Sequence, residues 1–264
     1  MKNTKLKVVA VIQARMGSTR LPKKALKKIL DKTLIEWIKY RLSFSIEIDQ
    51  IVLSTADNKE NNLLIEHAKE INLEYFRGSE NDLVSRLYKT AKKFKADAIV
   101  RITGDCPLID PSIVDNLIKA YRKDKELDYV SNIVPPTFPD GMDAEIVSFN
   151  VLKKMNEEIR DLLYREFVTA SLMENHENKY KTLNIFNKDN LSFLRLTVDY
   201  PEDFKLTEEV FFKLYKEGEI FYFKDILDLF KKEPRLIDIN KNRVDKTILN
   251  NIRSSEFHNL KINS

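Results

Sequence analysis

Apolar residues run unbroken over 8–12 (VVAVI) and then give way to QARMGSTRLP over 13–22. Such a run predicts a strand buried on both faces that opens into a loop. The pattern recurs three more times. Residues 51–55, 73–76 and 97–103 read as further short buried strands. Amphipathic stretches of period 3.6 separate them. One helix starts at Thr33, where Thr33 and Glu36 form a capping box, and runs to about residue 42 with Leu34, Ile35, Trp37, Ile38 and Leu42 as its apolar residues. A second covers 58–70. A third is expected to be capped by Ser79, with Asp82 three residues on, and to end near 94. The fourth covers 111–122 with Pro111 in its first position. Strand and helix alternating four times predict a mostly parallel sheet with helices on both faces.

After residue 122 the alternation is lost. Strands are predicted at 128–132, 144–149, 180–186 and 193–198, and helices at 151–156, 161–175, 201–216 and 224–231. Pro135, Pro136 and Pro139 stiffen a loop that ends in Asp140-Gly141-Met142-Asp143. The chain divides into one domain over 1–240 and a polar tail over 241–264, expected to pack on the domain or on a partner subunit.

Composition narrows the function classes. Basic and acidic residues number 45 and 41, a net charge of +4. That balance does not point to nucleic acid. No apolar run approaches the roughly 20 residues of a membrane span, and the short apolar run near the start reads as a strand rather than a signal peptide. The single cysteine, Cys106, allows no intramolecular disulfide, and the expected setting is the cytoplasm. Glycines number only five, far below an average usage of ~7%. Four of them, Gly17, Gly78, Gly104 and Gly141, fall in loops, where each is expected to mark a position that admits no side chain.

The candidate chemistry lies in those loops. The loop after the first strand carries Arg15, Arg20, Lys23 and Lys24 among small residues. Backbone N–H groups and cations at a rigid strand end suit a polyphosphate; a solvated basic surface is the alternative. Asp105 follows a central strand, at the end where an open α/β sheet binds ligands. It is a candidate carboxylate for Mg²⁺, which takes oxygen ligands from one or two carboxylates and from substrate phosphates. Cys106 has no histidine near it in sequence and reads as a small buried side chain. His67 and Trp37 read as a surface and a core or interface residue.

QARMGSTRLP followed by lysine resembles the opening of the SpsF-type cytidylyltransferases of the nucleotide-diphospho-sugar transferase superfamily. More distantly, it is similar to the 3-deoxy-manno-octulosonate and acylneuraminate cytidylyltransferases. RITGDCPLID at 101–110 and LTVDYPED at 196–203 are similar to later motifs of the family, and RGSEND at 77–82, PDGMDAE at 139–145 and YREFVT at 164–169 are weaker matches. The resemblance implies an α/β, single-domain, Rossmann-like α/β/α sandwich of the GT-A-like type with a mixed, mostly parallel sheet. It implies CTP and a small anionic sugar-type acceptor as substrates, Mg²⁺ as cofactor, surface-polysaccharide biosynthesis as setting, and a homodimer.

The same resemblance distributes the roles. Arg15 and Lys24 are the expected catalytic cations. Gln13, Ala14, Arg15, Met16, Gly17, Ser18, Arg20 and Gly104 are expected around the nucleotide, with Arg77 and Ser79 at its base or ribose unless they only start a helix. Asp105 and Asp199 are the expected metal ligands, although Asp199 could simply precede a helix. Asp143, Glu145 and Arg165 are acceptor-side candidates; Asp143 and Glu145 could equally orient their loop. Two positions depart from the family pattern: Lys23 stands for a glycine and Phe167 for a histidine. A glycosyltransferase of the same fold would commonly carry an Asp-x-Asp motif, which this chain lacks. A non-catalytic nucleotide-binding protein is the other alternative.

Overall fold

The computed structural model describes residues 5–174 and 179–243. Strand β1 (Val8–Gln13) lies in mid-sheet, and its residues alternate between two faces with Val8 to Ile12 fully buried. A small hairpin, β2 (Lys28–Ile29) with β3 (Lys32–Thr33), follows the first loop. Thr33 then caps α1 (Leu34–Leu42) through the expected reciprocal box with Glu36. The chain continues through β4 (Gln50–Ala56), α2 (Asn62–Glu70), β5 (Glu74–Gly78), α3 (Leu83–Lys93), β6 (Ala98–Thr103) and α4 (Pro111–Lys123). Then come β7 (Tyr129–Ser131), β8 (Glu145–Ser148), α5 (Phe149–Glu158), α6 (Leu162–Glu166), α7 (Ala170–Glu174), β9 (Thr182–Asn184), α8 (Pro201–Leu214) and α9 (Phe223–Lys232).

Seven strands form one sheet in the order β5-β4-β1-β6-β8-β7-β9. The first four pair in parallel; β8 runs antiparallel to β6 and β7, and β9 is parallel to β7. Val8, Ala10 and Ile12 join apolar residues of α1, α2, α4, α8 and α9 on one face, while Val9 and Val11 join those of α3, α5 and α7 on the other. Trp37 belongs to the core. It stacks on Phe211 at 4.2 Å and donates its indole N–H to the Ile29 carbonyl at 2.9 Å. Phe221 and Phe223 are likewise buried. No helix among the described residues is long and apolar enough to cross a membrane.

Four local expectations are corrected. Asp82, not Ser79, caps α3, by accepting from the Ser85 N–H at 2.9 Å. Ser79 instead accepts from the Asp82 N–H at 3.1 Å and shapes the preceding turn. The helix predicted at 161–175 is two short helices, α6 and α7, parted at Phe167–Thr169. The segment 193–198 joins no sheet. Its N–H groups go to two loops instead, Leu196 to the Asp140 carbonyl at 2.7 Å and Val198 to the Asp105 carbonyl at 2.8 Å. His67 is half-buried and within 2.9 Å of the Thr33 hydroxyl, not a free surface side chain. Of the tail over 241–264, all but the first three residues lie outside the described residues.

Candidate active site

β1 has β4 and then β5 on one side and β6 on the other, so the loops after β1 and β6 leave the sheet in opposite directions. The crevice between them is the switch point at which open α/β sheets bind ligands. A cavity of about 320 Å³ opens there. Its lining includes Gln13, Ala14, Arg15, Gly17, Ser18, Arg20 and Lys24 from the first loop and Gly104 and Asp105 from the second, with Asp199 beside them. The two loops touch directly: the Gly104 N–H donates to the Gln13 carbonyl at 2.8 Å. A Cβ at Gly104 would lie 2.6 Å from the Ala14 Cβ, so this approach needs glycine. Gly17 differs from the expectation, because its nearest neighbour to a Cβ is a Glu60 carboxylate oxygen at 3.5 Å. Met16 is buried and does not line the cavity; its N–H donates to the Asn61 side chain at 2.9 Å and pins the loop.

At one end of the cavity a single ammonium lies between two carboxylates. Lys24 Nζ is 2.8 Å from Asp105 Oδ2 and 2.7 Å from Asp199 Oδ1. Arg20 adds a second cation on Asp199 Oδ1 at 3.0 Å. Burial would raise the Asp105 carboxyl, but the Lys24 charge and hydrogen bond outweigh it and hold the pKa down to about 2. Burial would likewise lower Lys24, and its two carboxylate partners raise it instead. Lys24 is therefore an ammonium at neutral pH, a charge donor rather than a base. The Cys106 thiol is pushed well up by burial and then by Asp105 and Asp143, and stays protonated.

The residue before Lys24 shows why a glycine suits that place. Lys23 has φ 56° and ψ 27°, the left-handed region. A side chain there is strained by about 1–2 kcal/mol. Replacing Lys23 with glycine is expected to raise stability by about 0.5–1 kcal/mol after glycine's larger unfolded-state entropy is deducted. The urea midpoint reads this directly; no gain would mean the loop relaxes the strain already.

The other wall is built by residues to which the sequence assigned no role at the site. Arg86 of α3 and Arg101 of β6 line the cavity together with Thr103, Glu80, Glu166, Phe167 and Thr169. Arg86 is buried and its Nε has no hydrogen-bond partner among the described residues; NH1 donates to the Ser79 carbonyl at 2.7 Å. Burial, then the charges of Arg15 and Arg101, push its guanidinium down to about 10. Guanidinium groups crowded this way favour an anion between them. Both had a signal in the sequence. Arg101 interrupts the apolar strand DAIVRIT, and Arg86 lies among Leu83, Val84, Leu87 and Ala91 on the buried stripe of its helix.

Other candidates lie elsewhere. Glu145 is buried, ion-paired with Arg101 and accepts the Tyr129 hydroxyl at 2.7 Å; Arg101 Nε also donates to Gln13 at 2.7 Å. Glu145 thus acts on the cavity through Arg101. Arg165 is held by Asp82 at 2.7 Å and by Asn156 at 3.1 Å, which ties α6 to α3 and α5. Arg77 pairs with Asp57 at 3.0 Å. None of Arg77, Ser79, Asp143, Glu145 or Arg165 lines the cavity, whereas Phe167, two residues beyond Arg165, does.

The sequence pattern of the family described as cytidylyltransferase matches residues 9–232. The spore coat polysaccharide biosynthesis protein SpsF of Bacillus subtilis is 28% identical over 86% of this chain and 95% of its own length. A 3-deoxy-manno-octulosonate cytidylyltransferase of Geobacter metallireducens is 26% identical over 78% of this chain and 84% of its own. Among solved structures, a cytidylyltransferase from Leptospira borgpetersenii superposes with a TM-score of 0.84 at 33% identity, covering 92% of this chain and all of that one. The sheet order, the crevice at its switch point and the family match over most of the chain agree: this protein belongs to the cytidylyltransferase family and is a nucleotidyltransferase.

Proposed function

We propose that the protein transfers CMP from CTP to an anionic sugar-type acceptor with release of pyrophosphate. An acceptor oxygen attacks the α-phosphorus, the bond to the β-phosphate oxygen breaks, and pyrophosphate leaves. Such transfers depend on positioning and charge stabilisation. The observation that carries this reading is Lys24, held between Asp105 and Asp199 at the end of a cleft lined with arginines. Lys24 and Arg15 supply positive charge to the α-phosphate and the leaving pyrophosphate. Arg20 and Ser18 take the outer phosphates. Arg86 and Arg101 face the remaining anionic group, which is the basis for an acidic acceptor. SpsF's name supports a role in polysaccharide synthesis.

Asp105 and Asp199 fit Mg²⁺. Their oxygens converge on one cation, and carboxylates are the ligands that ion takes. Among the described residues no set of three or more His, Cys, Asp or Glu side chains is arranged to hold a metal. The protein would thus offer two carboxylates and leave the other positions to phosphates and water. Bound there, the ion would neutralise phosphate charge that Lys24 and Arg20 share.

The test is thermal stabilisation by CTP, UTP, GTP and ATP, each with and without Mg²⁺. At a hundredfold excess over Kd, binding adds about 2.7 kcal/mol, a rise of several degrees for a chain of this size. A shift specific to CTP and larger with Mg²⁺ is expected; an equal or larger shift with another nucleotide overturns the choice of CTP. Pyrophosphate release on adding sugar acids then identifies the acceptor.

A further inference from the structure

Arg195 lies in the extended segment before α8 and is only 8% exposed. Its guanidinium spans three carboxylates from two stretches of the chain. NH2 is 2.6 Å from Asp199 Oδ2, NH1 is 2.8 Å from Asp140 Oδ2, and Nε is 3.1 Å from Asp203 Oδ1. Asp203 in turn accepts the backbone N–H groups of Asp199 at 3.0 Å and Tyr200 at 2.9 Å. Asn240 closes the group, donating to Asp203 Oδ1 at 2.8 Å and to the Arg195 carbonyl at 3.0 Å. The side chain and the backbone of Asp199 are thus held by one connected network. With Oδ2 engaged by Arg195, Asp199 turns Oδ1 toward Lys24 and Arg20 in the cleft.

We propose that Arg195 is a positioning residue: it sets the orientation of the Asp199 carboxylate and locks it to the Asp140 end of the 135–143 loop, with Asn240 as the clasp. The proposal rests on the reading of Asp199 as a metal-facing carboxylate. Three donors in one rigid plane reach three acids, and the compact ammonium of lysine cannot reproduce that fork. An arginine guanidinium stays charged at any working pH, so the fork keeps its charge. Partners that orient a metal ligand typically change metal affinity 10–100-fold when lost.

The experiment measures Mn²⁺ binding to the protein saturated with CTP, by the loss of the free-ion paramagnetic resonance signal, and CTP binding without metal. Arg195→Lys is expected to weaken Mn²⁺ binding about 10–100-fold and to leave metal-free CTP affinity within about threefold. Asn240→Ala, which leaves the fork in place, is expected to move Mn²⁺ affinity the same way by a smaller factor. It decides the question where Arg195→Lys gives no cooperative melt. Unchanged Mn²⁺ affinity in a cooperatively melting variant overturns the positioning role and leaves the proposed function standing. Failure of the unaltered protein to bind Mn²⁺ with CTP overturns both.

Discussion

Replacing Lys24 with alanine is expected to lower turnover at least a thousandfold while the protein still melts cooperatively. Loss of one donor aimed at developing charge already reduces rates about 10²–10³-fold. Lys24 does more than donate. Among the described residues it is the one cation whose nitrogen lies within hydrogen-bonding distance of both Asp105 and Asp199. Without it, two carboxylates face the same cleft, and the remaining cations Arg20 and Arg195 reach Asp199 rather than Asp105. Like charges in a confined site repel and raise the pKa of one member. Asp105, now held down at about 2 by Lys24, would move up. Pyrophosphate release measures the rate, and thermal melting separates a dead site from a lost fold. Mg²⁺ should raise the melting temperature of Lys24→Ala more than that of the unaltered protein, because it restores charge between the same two carboxylates. Near-normal turnover would remove Lys24 from the chemistry.

Gly141→Ala is expected to destabilise the protein by about 3 kcal/mol or more. Gly141 has φ +103°, and a Cβ there would lie 2.4 Å from the Leu196 carbonyl carbon and 2.5 Å from the Thr197 nitrogen. The backbone strain alone is of order 1–3 kcal/mol, and the contact is with main chain, which cannot rotate aside. The loop would have to lift from the 195–198 segment. That breaks the hydrogen bond of the Leu196 N–H to the Asp140 carbonyl and strains the Arg195–Asp140 pair. Denaturant unfolding measures the loss, and a difference below 1 kcal/mol would show that the loop shifts freely. The same lift slackens the hold on Asp199, so residual folded protein is also expected to turn over more slowly.

The strands and helices of the first half were legible because their signals are local. A five-residue apolar run, a Thr33–Glu36 box or an Asp110-Pro111 start depends on neighbours within one turn. The basic loop with Arg15, Arg20 and Lys24 and the strand-end carboxylate Asp105 were legible from their places in the pattern, Asp199 stood out only through the family resemblance, and the fold brings all five to one cavity. The expectation failed where partners are distant. The segment 193–198 reads as a strand, yet its hydrogen bonds go to Asp140 and Asp105. The helix over 161–175 is interrupted at Phe167–Thr169, which line the cavity instead of continuing the helix. Arg165 carries a charge suited to an anion, but Asp82, 83 residues away, already holds it.

Order along the chain therefore dictates the parallel half of the sheet, the loop at each strand end and the charge that each loop carries. Periodicity and capping act over three or four residues and leave a readable trace. Which charges meet is decided only in three dimensions. Lys24 and Asp199 lie 175 residues apart, Arg195 and Asn240 lie 45 apart, and Arg101 finds Glu145 only because β8 pairs antiparallel with β6. A long side chain is placed by the backbone that carries it and takes whichever opposite charge the packed core leaves within reach.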